Sequence, residues 1–331
     1  MRKAMAVLTA CLFWAAGTTP FVHTARSLWR WSVRQVQRVG ERAAAQSDGE
    51  ETVTHLPVNL YYRFEETPML AMQSSLLELS PGEESVVKSI VSRLVQGPDN
   101  DRTHLQGVFP MGCRVLSATV DGGTAVVTLS RDFLGRPDGA PADWEDDMSW
   151  QAEATLRRRL AVHSLVLALT DNALCQRVQL LVAEEDDAVP EQLQMVLLDD
   201  QLQDPGLILG ACTRDESMLI TPVSLVEMVM KDWQRMNYDE MYLFLYGRDG
   251  EMPGKTRFEQ EMKEAGLVPL SFAVTGGAVS ADGRKATVCV QAEMRNGEYT
   301  FSLSGGVIPL ERVNDEWLMD IEVFRNLITV D

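Results

Sequence analysis

Asp121-Gly122-Gly123-Thr124-Ala125-Val126-Val127-Thr128-Leu129-Ser130 is the stretch on which the reading of this chain turns. Two glycines sit between two apolar, alternating runs, Cys113 to Val120 and Thr124 to Leu129. That is a hairpin signal, because glycine takes positive φ at the tip without steric cost. Toward the N-terminus, Val58 to Phe64 alternates on a two-residue period and reads as a strand, and Met69 to Leu79 reads as a second. Ser80-Pro81-Gly82-Glu83 reads as a helix start, with Ser80 as cap, Pro81 in the first turn and Glu83 closing the box. Val86, Val87, Ile90, Val91 and Leu94 continue that helix at 3-4 spacing, and Gly97-Pro98 stops it. Toward the C-terminus, Trp150 to Leu169 is a long helical stretch and Gln176 to Ala183 a closing strand. The order β-β-α-β-β-α-β predicts an α+β layer fold with helices packed on one sheet face.

In this order the segment 53–186 resembles a GerMN domain (sporulation and spore germination). Leu60-Tyr61 lies in the opening strand. Leu94-Val95-Gln96-Gly97-Pro98 resembles the family's Leu-x-x-Gly-Pro helix end, and Phe109-Pro110-Met111-Gly112 its Pro-x-Gly turn. Asp121 to Ser130 resembles its Gly-x-Ala-x-Val-x-Leu-Ser strand, with Thr128 where the family usually carries Asp. Leu165 to Thr170 is similar to its second helix and Val178 to Val182 to its last strand. The resemblance implies a non-catalytic assembly module, similar in fold to the ring-building domains of secretion and sporulation channels, which stack through helix and sheet faces. Gly97, Pro98, Pro110, Gly112, Gly122, Gly123, Leu129 and Ser130 are then structural motif positions, and the functional surface is an interface.

Residues 187–216 are mixed and read as a connector with short strands. A second unit, 217–331, opens at Thr221-Pro222, with Thr as helix cap and Pro in the first turn. Val223, Val226, Met230 and Trp233 fall on one face, Tyr238 to Leu245 continues, and Thr256 to Ala265 is an amphipathic helix ended by Gly266. Four strands follow: Leu267 to Ser280, Lys285 to Met294, Tyr299 to Leu310 and Glu316 to Val323. Their turns are Ala281-Asp282-Gly283, Asn296-Gly297 and Asn314-Asp315. Helices followed by a four-stranded antiparallel meander suggest a cone-like domain, and this order resembles the NTF2-like superfamily. That superfamily holds both enzymes and binding modules, so the likeness alone does not decide function. The expected fold is therefore two small α+β domains after an N-terminal apolar segment.

Within 1–25, Met1-Arg2-Lys3 precedes an apolar stretch from Ala4 to Val22, broken only by Gly17-Thr18-Thr19-Pro20. It reads as a secretory signal or a single membrane anchor. Leu8-Thr9-Ala10-Cys11 also matches a lipobox with Cys11 as the lipidated residue, while Ala15-Ala16-Gly17 and Ala25 offer competing cleavage sites. Cleaved signal, anchor and lipoprotein stay open. Within 26–52, arginine recurs every fourth residue at Arg26, Arg30, Arg34, Arg38 and Arg42, with Trp29 and Trp31 at the start. On a helix these make a basic stripe, read either as a juxtamembrane segment against anionic headgroups or as a solvated face. Ala43 to Thr54 is small and polar and reads as a linker.

The net charge of −18 over 331 residues is uneven: residues 1–50 carry +4, residues 51–216 carry −15 and residues 217–331 carry −7. An acidic body argues against nucleic acid, since phosphate contacts need clustered Lys and Arg. Cys11, Cys113, Cys175, Cys212 and Cys289 form no CxxC pair, which argues against a zinc site. Buried free thiols are the preferred reading of the last four, with a disulfide as the alternative. The histidines are His23, His55, His104 and His163, so the second unit has none for acid–base work. His163 lies in an apolar helix and is read as a packed residue. No HExxH, GxSxG or Walker-type loop occurs. Asp146-Asp147 and Glu184-Glu185-Asp186-Asp187 lack EF-hand spacing and read as solvated loops rather than calcium ligands. Trp233, Tyr238 and Tyr242 could line a ligand pocket, against core packing as the plainer reading. The expectation is a non-enzymatic protein without cofactor, on the extracytoplasmic face of the cell membrane or secreted; the alternative is a small-ligand-binding or enzymatic NTF2-like cone domain with the first unit as its accessory. Its partners would be envelope proteins or copies of itself, and it would touch the membrane through its N-terminal segment.

Overall fold

Every apolar residue of Val58 to Phe64 must be hidden, and the fold does this by burying both sides of the strand. The structure, a computed structural model, describes residues 54–79, 85–248 and 251–328. β1 (Thr54–Phe64) pairs antiparallel with β2 (Leu70–Leu79) and, at Arg63 and Phe64, with the short β3 (Leu105–Gln106). Successive side chains of a strand point to opposite faces. Tyr62 donates to the Arg93 carbonyl at the end of α1 (Val86–Gln96), while Tyr61 on the opposite face donates to Asp171 of α2 (Met148–Asp171). Helices therefore meet both faces of β1, which corrects the expectation of helices on one face.

Of the polar members of the alternating β1 pattern Arg63 is buried and Asn59 half-buried, because α2 runs along the strand's free edge. Asn172 accepts from the Asn59 N–H (3.0 Å) and donates to the Asn59 carbonyl (2.8 Å), and Ser164 donates to the Tyr61 carbonyl (2.6 Å). An edge strand's unpaired amides are thus satisfied by a helix rather than left to template another chain. The last half of α2, from Leu160 to Leu169, is buried nearly all round, as its composition requires.

The helix α1 begins at Val86 with Ser85 as its cap, accepting from the Lys88 N–H. The start expected at Ser80-Pro81-Gly82-Glu83 lies outside the described residues, and the described helix starts later. Val87, Ile90, Val91 and Leu94 are buried, as their spacing predicts. A second sheet holds β4 (Val115–Asp121), β5 (Thr124–Ser130), β6 (Arg177–Ala183) and β7 (Glu191–Gln192), with β8 (Cys212–Thr213) also on β6. The β4–β5 hairpin turns at Gly122 (φ 53°) and Gly123 (φ 77°), the paired positive φ that this two-residue turn demands. β5 and β6 are parallel, joined by the α2 crossover.

The second unit follows its expected order. In α3 (Pro222–Arg235) Thr221 caps the helix and Ser224 returns a bond to the Thr221 N–H. α4 (Tyr238–Leu243), β9 (Leu245–Tyr246) and α5 (Lys255–Ala265) lead into β10 (Leu267–Val279), β11 (Lys285–Asn296), β12 (Tyr299–Val313) and β13 (Glu316–Asp320). Two details differ from expectation. β9 adds a fifth strand, parallel to β13, so the sheet is not a pure four-stranded meander. The last strand ends at Asp320, whose carboxylate accepts from the Glu322 N–H, and Ile321–Ile328 forms α6 instead of extending the strand to Val323. Among the described residues no helix is long and apolar enough to cross a membrane. The readings of 1–25, of 26–52 and of Cys11 fall outside the described residues.

Candidate functional site

The motif positions serve the fold. Gly97 (φ 93°) returns its N–H to the Leu94 carbonyl and ends α1, followed by Pro98. Pro110 and Gly112 bracket a turn closed by the Cys113 N–H on the Pro110 carbonyl. Leu129 is fully buried. Ser130 is fully buried too, and its hydroxyl accepts from the Arg114 N–H (3.0 Å) while donating to Asp132 (2.9 Å). Thr128, where the resembled family usually has Asp, is buried in β5 between Ser117 of β4 and Leu181 of β6.

The proposed trio Trp233, Tyr238 and Tyr242 does not converge. Trp233 alone borders an apolar cleft between α3 and the β11–β12 strands of the second unit, with Met230, Met294, Phe301 and Leu303; it holds about 320 Å³ including its open mouth. The Trp233 indole N–H donates to the Leu267 carbonyl (2.7 Å) and so offers the cleft no polar handle. The ring of Tyr242 packs on Phe258 of α5 and its hydroxyl donates to the Pro253 carbonyl, while Tyr238 is buried in α4. The Tyr238-Tyr242 part of the trio is therefore helix packing, because a four-residue spacing put both on the face toward α5.

The two units meet at a dense junction that motif reading did not single out. Phe64 at the end of β1 stacks on Phe244 (ring centroids 5.4 Å apart) and on His104 (6.3 Å). Arg102 donates to the Asn314 carbonyl and pairs with Asp315 (3.1 Å); Asp315 also accepts from the Ser74 N–H of β2. Asn314 (φ 50°) and Asp315 (φ 72°) are both left-handed, a geometry that Asn and Asp tolerate best among non-glycines. The connector joins in: the Leu70 N–H donates to the Met218 carbonyl and the Ile220 N–H to the Leu70 carbonyl, a parallel bridge on the edge of β2. Apolar burial runs without a break from one unit to the other. The carboxyl of Glu316 is raised above its usual range by burial, against the lowering effect of His104 and Arg102. The turn Asn314-Asp315 was legible in the sequence; its pairing with Arg102 was not, because nothing local marks a contact across 213 positions.

Other titratable groups are engaged in packing. Arg63, 4% exposed, donates to the Glu66 and Thr67 carbonyls and pairs with Glu153, which also binds Arg157 (2.6 Å). Asp171 binds Tyr61 and Arg214 (2.6 Å), strapping the end of the connector onto α2. His163 in α2 is half-buried, and burial lowers its pKa. Cys113 and Cys175 are buried, Cys113 being pushed up to about 12 by burial. Cys212 is half-buried and Cys289 exposed, so the buried reading fails for Cys289: its place on β11 faces outward. Among the described residues no three His, Cys, Asp or Glu side chains are grouped to hold a metal ion.

Residues 59–187 match the family Germane, described as sporulation and spore germination. No curated protein matches the chain. Similar solved structures include the tandem GerMN domains of the sporulation protein GerM from Bacillus subtilis (14% identity, 44% of each chain, TM-score 0.29). The first GerMN domain of that protein is similar at 18% identity over 39% of this chain and 84% of its own (TM-score 0.27). An NTF2-like protein of unknown function from Shewanella oneidensis MR-1 is similar at 16% identity over 29% of this chain and 89% of its own (TM-score 0.22). The chain thus spans less than half the length of the GerM tandem.

Proposed function

We propose, from the premise that residues 59–187 form a Germane domain, that this protein is a non-enzymatic assembly or interaction component of the cell envelope. Its work would lie in sporulation or germination. The apolar N-terminal segment would hold it at the membrane, and the body would face outward. Its partners would be envelope proteins or further copies of itself. The observation that carries this reading is the junction: Arg102, Asp315, Phe64 and Phe244 join the two units into one body, as suits a spacer presenting two surfaces in fixed relation. The carboxylates Glu153 and Asp171 are held in ion pairs, Glu153 with the buried Arg63 and Asp171 with the exposed Arg214.

Chemical crosslinking and size-exclusion chromatography of the full chain, with pull-down from sporulating and vegetative envelopes, test it. Self-association or an envelope partner is the expected result. A strict monomer without any envelope partner overturns it. A second reading, a small-ligand-binding cone, is favoured only by the apolar cleft at Trp233. A thermal shift with an envelope metabolite, lost in Trp233→Ala with folding intact, would favour it.

A further inference from the structure

The chain is 24% charged, yet no charged residue occurs from Ala265 to Ala281, the stretch that holds β10. This 13-residue strand lies at the edge of the second unit's sheet and pairs on one side only, with β11. Two carbonyls at its start have partners: Trp233 donates to Leu267 (2.7 Å) and Gln234 to Leu270 (2.7 Å). Beyond them, among the described residues, nothing outside the sheet bonds the main chain of Ser271 to Val279. Every second residue of a strand turns its N–H and C=O away from its neighbour, so this edge presents an open row of donors and acceptors. The other described edges are short or engaged. β3, β7, β8 and β9 have two residues each. β2 is bridged by Leu219 and gives its Ser74 N–H to Asp315, and Ser85 donates to the Ala118 carbonyl of β4. Register shifts at Leu270 and Thr275 bend β10 and leave Ser271 to Val274 as a regular run between them. No lysine or other charge blunts that run.

Charge selects the occupant. Residues 267–310, which hold β10 to β12, carry three acids (Asp282, Glu293 and Glu298) and three bases (Arg284, Lys285 and Arg295), so they are neutral within a chain of −18. A second copy is repelled from the acidic parts of the body but not from this part. We propose that β10 pairs antiparallel with β10 of a second copy, joining two five-stranded sheets edge to edge. A two-fold axis at Phe272 sets Ser271 of each copy against Ala273 of the other and Phe272 against Phe272, an aromatic pair of the kind that stabilises neighbouring strands. The pairing closes at two copies, because β9, at the far edge of each sheet, is only two residues long. It rests on the self-association proposed above and gives that association its surface.

The test is sedimentation of the full chain in non-ionic detergent over a concentration series, with amide hydrogen exchange read at its dilute and concentrated ends. A reducing agent is present, since Cys289 is exposed on the same sheet. The expected result is a monomer–dimer equilibrium in which exchange over Ser271–Val279 slows on dimerisation. Ser271→Lys/Ala273→Lys sets lysines of the two copies against each other and weakens the dimer at least about tenfold. Both side chains are exposed, so unchanged thermal unfolding of the dilute variant is expected. Thr287→Lys/Ser302→Lys, an equal charge change at exposed positions of β11 and β12 away from the edge, keeps the dimer. A dimer as strong in the edge variant as in the unaltered chain overturns the β10 pairing and leaves the assembly reading standing. Loss of the dimer in the β11–β12 variant assigns the contact to the face of the sheet and overturns the pairing. A monomer at every concentration also overturns it, and if no envelope partner is found the assembly reading falls with it. Protection of Ser271–Val279 only on adding envelope extract assigns the edge to another protein and overturns the pairing as well.

Discussion

β1 and β11 are both strands with alternating patterns, yet they live in different surroundings. From Val58 to Phe64, β1 is buried on both faces except for a half-buried Asn59, whereas β11 alternates strictly between buried and exposed from Lys285 to Met294. In β11 the polar positions face water, as the pattern suggests. In β1 the Arg63 side chain faces α2 and pairs with Glu153, while Asn172 at the end of α2 bonds the Asn59 main chain. The same two-residue period thus describes a half-solvated sheet in one unit and a sandwiched strand in the other. The comparison also locates the free surface of the molecule. In the first unit β1 is hidden while β4 stays largely exposed, and the second unit exposes one face of its sheet.

This contrast can be broken by substitution. Leu60→Ala, at a fully buried β1 position, should cost about 3–4 kcal/mol in urea unfolding. Arg63→Met should cost about 3 kcal/mol, because Glu153 loses a nearly buried partner, and Arg63→Met/Glu153→Leu should recover most of it. If Arg63→Met alone is neutral, the polar side of β1 is not held by α2 and the comparison fails. On β11 the faces should separate sharply: Val288→Ala on the inner face should cost about 2 kcal/mol, and Thr287→Ala on the outer face less than about 0.5 kcal/mol.

The junction sharpens the comparison through pH. Glu316 has a raised folded pKa, so its carboxyl is more easily protonated in the folded than in the unfolded chain. Its contribution is therefore fullest below the unfolded carboxyl range and is lost as pH rises through the folded pKa. Glu316→Gln should raise the unfolding temperature at neutral pH, by no more than about 1 kcal/mol in stability given its partial exposure. The advantage should shrink on acidification. Greater destabilisation of Glu316→Gln at neutral pH than at low pH would show that the pairing with Arg102 and His104 outweighs burial.

Local chemistry was legible wherever a residue acts on its own neighbourhood. The Gly122-Gly123 turn, the Thr221-Pro222 cap, the Gly266 stop and the amphipathic face of α1 all follow from spacing and backbone preference, and the structure places them as read. The element order of both units was legible for the same reason. The end of β13 was not: Glu316 to Val323 has strand-like apolar spacing, but the Asp320 carboxylate caps a new helix and cuts the strand short. Nor was the ligand trio legible, since Tyr238 and Tyr242 look alike whether they line a pocket or a helix interface.

By itself, then, the sequence determined the main strands and helices of each unit and most of their turns, and that the body is acidic behind a basic, apolar N-terminus. Only the tertiary structure decided that both faces of β1 are covered and that Arg102 grips the Asn314-Asp315 turn. The division has one cause. Hydrogen-bond periods and turn preferences act over a few residues, whereas burial and charge pairing are set by groups brought together from distant parts of the chain, and no local pattern encodes which groups those are.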